Sequence, residues 1–281
     1  MQGKICLITG GNSGIGKQTA IELAELGAKV VILVRSEQKG EEAQAAIQKQ
    51  SRSREVEWVV CDLSIQQSIR DFAAAFQARY SHLYVLINNA ATIPGRRLES
   101  ADGIEMQLAV NHLAPYLLTN LLRDMLKASA PARVINLSST LHRSGKIDFH
   151  DLQSKKGYSM AGWVQYGNTK LMNVLFTYEL ARRLQGTRVT ANALHPGIYG
   201  TGLQRGTWLG RFGSFAIFPS ARHSARGTVY LASSPDVARV SGKYFDVTRM
   251  VGSSPDSNNP AIARLLWGIS GNLVGLTTSH Q

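Results

Sequence analysis

Seven short apolar runs, at residues 5–8, 30–34, 56–61, 85–87, 134–137, 189–194 and 244–247, alternate with longer stretches of helical spacing. The runs are rich in Val, Ile and Leu and lack the polar alternation of a strand with one wet face. Strands of that kind are buried on both sides, and in a chain that alternates β with α this implies a parallel sheet covered by helices on both faces. The expectation is an α/β fold: a doubly wound, seven-stranded parallel sheet in a single domain over residues 1–281. Ligands in such sheets bind at the carboxyl ends of the strands. The stretches expected as loops are 139–162, 197–224 and 252–260.

Composition narrows the class. A chain of 281 residues, 44% hydrophobic and 18% charged, has enough apolar surface for one large core. No apolar run reaches the roughly 18 residues that a bilayer span needs, so no transmembrane helix is expected. The first strand starts at Ile5, which leaves no space for a leader and makes a cytoplasmic protein the expectation. Cys6 and Cys61 fall in strand-like runs, where buried free thiols are usual, and no metal site is expected. The net charge of +12 comes from scattered Lys and Arg rather than one basic run with interleaved aromatics, so nucleic acid is not an expected partner. Peripheral contact with an anionic membrane surface is a side effect that such a charge permits.

Two stretches carry chemistry. Thr9-Gly10-Gly11-Asn12-Ser13-Gly14-Ile15-Gly16 follows the first strand directly and opens a helix whose apolar positions Ile15, Ala20, Leu23 and Ala24 face one way. Glycine permits the tight turn and lets backbone approach a pyrophosphate, while the helix N-terminus supplies N–H donors and a positive dipole end. In strand-turn-helix context this is a nucleotide-binding signal. The second strand ends Leu33-Val34-Arg35-Ser36, without the carboxylate that would grip both ribose hydroxyls of NAD. Arg35 instead offers a planar fork to a 2′-phosphate, and Lys17 adds a second charge, so NADP(H) is the expected cofactor. As isolated residues both would be surface cations.

The second stretch is Tyr166-Gly167-Asn168-Thr169-Lys170. A step of four on a helix leaves two side chains about 40° apart, so Lys170 can approach whatever Tyr166 holds. A phenol with a pKa of about 10 is a poor acid–base group at neutral pH, and a nearby ammonium would lower it. Other polar positions are ambiguous on their own. Asp62 could cap a helix over 64–76, Asn88-Asn89 could be turn chemistry, and Asn111 a helix cap or surface residue. Ser138 and Ser139 could each satisfy local backbone groups, and His195 reads as structural.

The order of these motifs resembles the short-chain dehydrogenase/reductase family over nearly the whole chain. The resemblance implies a Rossmann fold with Gly10, Asn12, Ser13, Gly14, Ile15, Gly16, Lys17 and Arg35 around the cofactor phosphates. It puts Asp62 and Leu63 at the adenine, Asn89 and Ala90 beside the cofactor, and Pro196, Gly197 and Thr201 beside the nicotinamide carboxamide. It implies Asn111, Ser139, Tyr166 and Lys170 as catalytic residues. Tyr166 would donate the proton, Ser139 would bond the carbonyl oxygen, and Lys170 would also bind the nicotinamide ribose. Asn111 would sit in a locally opened helix and help relay the proton. Two positions depart from the family pattern: Ala91 where a glycine is usual, and Tyr199 where a small aliphatic is usual.

The long insertion before Tyr166, with Lys146-Ile147-Asp148-Phe149-His150-Asp151-Leu152, narrows the resemblance. Together with residues 173–184, Ser241-Gly242-Lys243-Tyr244-Phe245 and Leu265-Leu266-Trp267, it is similar to the retinol dehydrogenase and WW-domain oxidoreductase branch. That branch implies NADP-dependent interconversion of a lipophilic aldehyde, such as a retinoid, with its alcohol, often on membranes. The branch's N-terminal membrane anchor is not in this sequence. Residues 202–222, with Trp208, Phe212, Phe215 and Phe218, are expected to form a substrate lid, and 261–276 a C-terminal helix. The expected partner is thus a lipophilic carbonyl or alcohol small molecule. Two alternatives stay open: a biosynthetic ketoreductase for a polycyclic or polyketide-like ketone, and a cofactor-binding regulatory protein with little turnover. The family resemblance also suggests a homodimer or homotetramer.

Overall fold

Apolar residues alternate between the two faces of each central strand, and this alternation decides where the helices lie. The computed structural model describes residues 1–197 and 221–276. Strands β1 (Ile5–Thr9), β2 (Lys29–Val34), β3 (Val56–Val60), β4 (Val85–Asn88), β5 (Ala132–Leu137), β6 (Val189–His195), β7 (Tyr244–Asp246) and β8 (Arg249–Val251) form one sheet. Its order is β3-β2-β1-β4-β5-β6-β7-β8. The helices are α1 (Gly14–Glu25), α2 (Glu37–Ser51), α3 (Gln66–Arg79), α4 (Ala114–Leu121), α5 (Arg123–Ala128), α6 (Trp163–Arg183), α7 (Ala221–Ser233) and α8 (Pro260–Leu273). Leu7, Val31 and Leu33 pack into one layer with Phe72, Leu117, Leu175 and Trp267 from α3, α4, α6 and α8. Cys6, Ile8, Val30 and Ile32 pack into the opposite layer with Ile21, Ile47 and Leu231 from α1, α2 and α7. Strand order reverses at β1, which pairs with both β2 and β4, so a crevice opens at their carboxyl ends.

The doubly wound sheet matches the sequence expectation, with a correction to its size. Among the described residues the sheet has eight strands rather than seven, and β8 runs antiparallel to β7. β8 is three residues long with Arg249 and Met250 exposed, so it carries no buried apolar run to betray it. Val247, read as part of the seventh strand, has φ 53 and belongs to the tight turn that reverses the chain. Two expected loops hold short 3-10 turns, at Thr140–Arg143 and Met160–Gly162 in one and Pro255–Asn258 in the other. α7 begins at Ala221, inside the third expected loop. Residues 198–220 of that loop, including Tyr199, Thr201 and most of the expected lid, lie outside the described residues.

Two helices frame the candidate site. α6 begins after Gly162, whose φ of 86 only glycine adopts without strain, and buries most of its length. At its C-terminus Glu179 holds both Arg182 and Arg183, and the Arg183 guanidinium lies 4.5 Å from the Trp267 ring centroid. α8 starts one residue earlier than expected because Asn259 caps it, accepting from the N–H groups of Ala261 at 2.9 Å and Ile262 at 3.2 Å. It stops at Leu273, three residues early, where Gly275 with φ 62 turns the chain. Tyr116 of α4 donates to the Trp267 carbonyl at 3.0 Å, so α8 is fastened onto the α4–α6 layer. Among the described residues no helix is long and apolar enough to cross a membrane.

Candidate active site

The turn from β1 into α1 is built mostly from backbone. Gly10 and Gly14 have φ of 66 and 53, and a Cβ on Gly16 would collide with the Gly10 carbonyl. The Ser13 side chain makes no capping bond, so the first N–H groups of α1 remain free of a side-chain partner. Thr9 and Asn89 clamp the turn from behind. Thr9 Oγ1 accepts from Asn89 N at 2.9 Å and Ala90 N at 3.0 Å, while Asn89 Nδ2 donates to the carbonyls of Thr9 at 2.8 Å and Gly10 at 3.2 Å. Asn89 and Ala90 therefore hold the glycine turn, and Thr9, absent from the sequence-based site set, is their anchor.

The described remainder of the expected cofactor set follows the ends of β1, β2, β3 and β6. Arg35 follows β2 and is exposed, and Lys17 is half-buried in the first turns of α1. Asp62 Oδ1 accepts from Ser64 N at 2.9 Å and Ser64 Oγ at 2.7 Å. It thus closes a turn ahead of α3, whose actual cap residue is Ile65. The Leu63 side chain is buried in the core. Pro196 is buried and Gly197 has φ 86. Bare glycine backbone, uncapped N–H groups, and two cations with no carboxylate at the end of β2 make a donor set that suits a dinucleotide carrying an extra phosphate.

Hydrogen bonds tie α6 to β5 and to the segment before α4 around the residues expected to react. Lys170 is 2% exposed and its Nζ donates to the Leu137 carbonyl at 3.0 Å. Tyr166 is 8% exposed, with Lys170 Nζ 5.2 Å from its ring centroid and Trp163 edge-on at 5.7 Å. The two serines separate cleanly. Ser138 Oγ donates to the Lys170 carbonyl at 2.9 Å and is buried, whereas the half-buried Ser139 accepts from Leu141 N at 3.3 Å and keeps its own proton to donate. Asn111 lies in a π-helical turn, Leu108–Leu113, which is the local opening that the family resemblance implied. Its side chain binds the Thr92 backbone in both directions, at 2.8 and 3.0 Å, and reaches Thr169 Oγ1 at 3.3 Å.

Gly167 and Asn168, between Tyr166 and Lys170, hold the loop that carries Ser139. A Cβ on Gly167 would come to 3.0 Å from the Leu141 carbonyl, and Asn168 Oδ1 accepts from Lys146 N at 2.9 Å. His142 was missed by sequence reasoning. It contacts the Ser139 carbonyl through Nδ1 at 2.6 Å, and its Nε2 accepts from Ser254 N at 3.1 Å. Asn173 was missed as well, although a polar residue on an otherwise apolar helix face was the available signal. Its amide donates to the carbonyls of Asn111 at 2.9 Å and Leu137 at 3.3 Å.

Burial controls the electrostatics. It pushes the Tyr166 phenol well above its ordinary value and pulls Lys170 from 10.5 down to about 7. The expected lowering of the phenol by Lys170 is therefore not seen: the desolvation that raises the phenol also weakens the ammonium. His195 is lowered by burial, with Asp246 opposing, in keeping with a structural histidine. Cys6 and Cys61 are buried free thiols, raised by desolvation to about 12 and about 11. A groove of about 370 Å³ between α1 and α7, lined by Glu22, Arg226 and Tyr230, contains none of the residues discussed above.

A model of the short chain dehydrogenase family matches residues 4–210, and this chain belongs to that family. It is 44% identical to retinol dehydrogenase 12 of Homo sapiens over 281 residues, covering 98% of this chain and 88% of the relative. A crystal structure of an uncharacterised protein from Mycobacterium Paratuberculosis superposes with a TM-score of 0.80 at 34% identity, covering 98% of this chain and 94% of that one. The Pseudomonas aeruginosa RhlG/NADP active-site complex superposes with a TM-score of 0.72 at 25% identity, covering 88% and 95%. Within the family the chain stands in the retinol dehydrogenase-like branch, as an oxidoreductase of the alcohol and carbonyl interconversion class.

Proposed function

We propose that the protein is an NADP(H)-dependent oxidoreductase that interconverts a lipophilic aldehyde or ketone with its alcohol, using Tyr166 as the acid–base group. The observation that carries this reading is the buried Tyr166–Lys170 pair, together with a Ser139 after β5 whose hydroxyl proton is uncommitted where that of Ser138 is not. A nicotinamide dinucleotide held at the glycine turn would supply the hydride chemistry of the reaction. Ser139 Oγ donates a hydrogen bond to the substrate oxygen, on which negative charge develops as the carbonyl is reduced. Tyr166 Oη gives that oxygen its proton, and in oxidation takes it back. Lys170 steadies the resulting phenolate and binds the nicotinamide ribose, and Asn111 belongs to the path by which the phenol is reprotonated. Burial holds the proton on Tyr166 in the ligand-free protein, the form in which the phenol can donate.

Preference for NADP(H) is supported by Arg35 after β2 and Lys17 in the first turn of α1, and by the NADP complex of the structural relative above. The lipophilic substrate is supported by the 44% identity to a retinol dehydrogenase. The test follows the loss of reduced-nicotinamide absorbance with NADPH and NADH in parallel. The panel contains retinaldehyde, long-chain aldehydes and bulky cyclic ketones. Turnover of an aldehyde with NADPH is the expected result. Turnover only of the cyclic ketones would favour the ketoreductase alternative. Cofactor binding without any turnover would favour a regulatory protein, and a preference for NADH would overturn the assignment of Arg35.

A further inference from the structure

Behind Lys170 stands a single file of buried polar side chains that leads out of the site. Asn173 of α6 is 2% exposed, His112 of the π turn 0% and Ser270 of α8 1%, so each polar atom must find its partner inside the protein. The Leu137 carbonyl accepts from both Lys170 Nζ at 3.0 Å and Asn173 Nδ2 at 3.3 Å. Asn173 Nδ2 also donates to the Asn111 carbonyl at 2.9 Å. Two carbonyl partners fix the amide, because only its NH2 side can donate to them. Asn173 Oδ1 therefore faces His112 Nδ1 at 3.4 Å, and that nitrogen must carry the ring proton. His112 Nε2 is left as an acceptor and receives the Ser270 hydroxyl at 2.9 Å. Every bond in the file points the same way, from α8 towards the carbonyl that holds the lysine, and bonds so aligned strengthen one another.

We propose that Asn173 is a positioning residue for Lys170, and that the Ser270–His112–Asn173 file makes the C-terminal helix a working part of the active site. The proposal rests on the reading of Lys170 as a catalytic group. The Leu137 carbonyl is the hinge of the argument. Asn173 shares it with Lys170, so the placement of the amide sets where the ammonium sits, and α8 sets the placement of the amide through the imidazole. The file joins residues 158 and 61 positions apart in sequence, and it adds a polar link to the direct packing of Trp267 on α6. A merely structural role for Ser270 would cost stability without touching the chemical step.

The test is a double-mutant cycle of Ser270→Ala and Asn173→Ala in the full chain, reading kcat, KM and the thermal midpoint. The expected result is a fall in kcat of about threefold for Ser270→Ala and about tenfold for Asn173→Ala, with KM little changed. The double variant should be no slower than Asn173→Ala alone, because the effect of Ser270 passes through that amide. Multiplying effects, or an unchanged kcat in Ser270→Ala, would overturn the proposal. Ser270→Ala removes one oxygen and keeps the fold testable even where Asn173→Ala does not. A second readout needs no turnover. Acetylation of Lys170 by N-hydroxysuccinimide acetate, followed by mass spectrometry against the exposed Lys146, should accelerate in Ser270→Ala. No acceleration sinks the positioning role even if the wild type reduces nothing in the panel. Acceleration in a protein without turnover would sustain the positioning role while the function reading fails.

Discussion

The turn between β1 and α1 and the inward face of α6 lie at the same edge of the sheet and are built differently. Around Gly10, Gly14 and Gly16 side chains are left out, so that backbone N–H groups and the end of a helix face the crevice. Next to Tyr166 on this face the polar side chains of Lys170 and Asn173 are buried, and with His112 each is committed to a partner from another element. The first arrangement suits a ligand that brings its own charge and needs little more than donors. The second suits a reaction in which charge moves, since buried groups with shifted pKa values respond strongly to small changes in their partners. Thr9 and Asn89 are the exception that joins the two, as they spend side chains to hold backbone in place.

The comparison can be broken most forcefully at Tyr166. Tyr166→Phe should cut turnover by on the order of a thousandfold or more while cofactor affinity, read by NADPH fluorescence, stays within about twofold. Retained activity would mean that the buried face of α6 is only core.

The buried polar face should also make itself felt in acid. His112 titrates near 6.5 in the unfolded chain and is lowered by burial to about 4 in the folded one. Its contribution to stability is complete above pH 6.5 and is lost as pH falls to about 4, because the unfolded chain takes up the proton first. The loss is worth on the order of 3 kcal/mol. Burial lowers His142 and His195 as well, with the same sign. Urea titrations of the wild type and His112→Asn at several pH values should show a flatter curve in the variant.

The two serines sharpen the contrast within the catalytic side. Ser139→Ala should lower kcat by about a hundredfold with little change in melting temperature. Ser138→Ala should do the reverse, losing about 1 kcal/mol of stability with its bond to the Lys170 carbonyl and leaving most activity. On the side of the glycine turn the effect should be smaller than that of Ser139→Ala. Arg35→Ala should raise the KM for NADPH by about tenfold and leave the KM for NADH unchanged, because an exposed cation contributes one charge-assisted contact.

What was legible in the sequence divides along the same line. The glycine turn could be read directly because its parts are local: strand, glycines and helix start fall within eight residues. The Tyr166–Lys170 pair was legible for a similar reason, since helical geometry alone brings positions four apart onto one face. The seven parallel strands followed from unbroken apolar runs. β8 did not, because three residues at an exposed edge bury nothing that patterning could register.

The sequence by itself determined the class of sheet, the phosphate turn, and the residue types that could react, because periodicity and backbone chemistry are properties of short stretches. Only the tertiary structure decided that Ser138 is tied to the Lys170 carbonyl while Ser139 is not, and that Asn89 serves the glycine turn. It alone placed Asn173, His112 and Ser270 in one file behind Lys170. Those outcomes depend on which buried donors and acceptors meet across tens to more than a hundred residues. Inside a packed core a polar atom takes whatever partner the fold brings within reach.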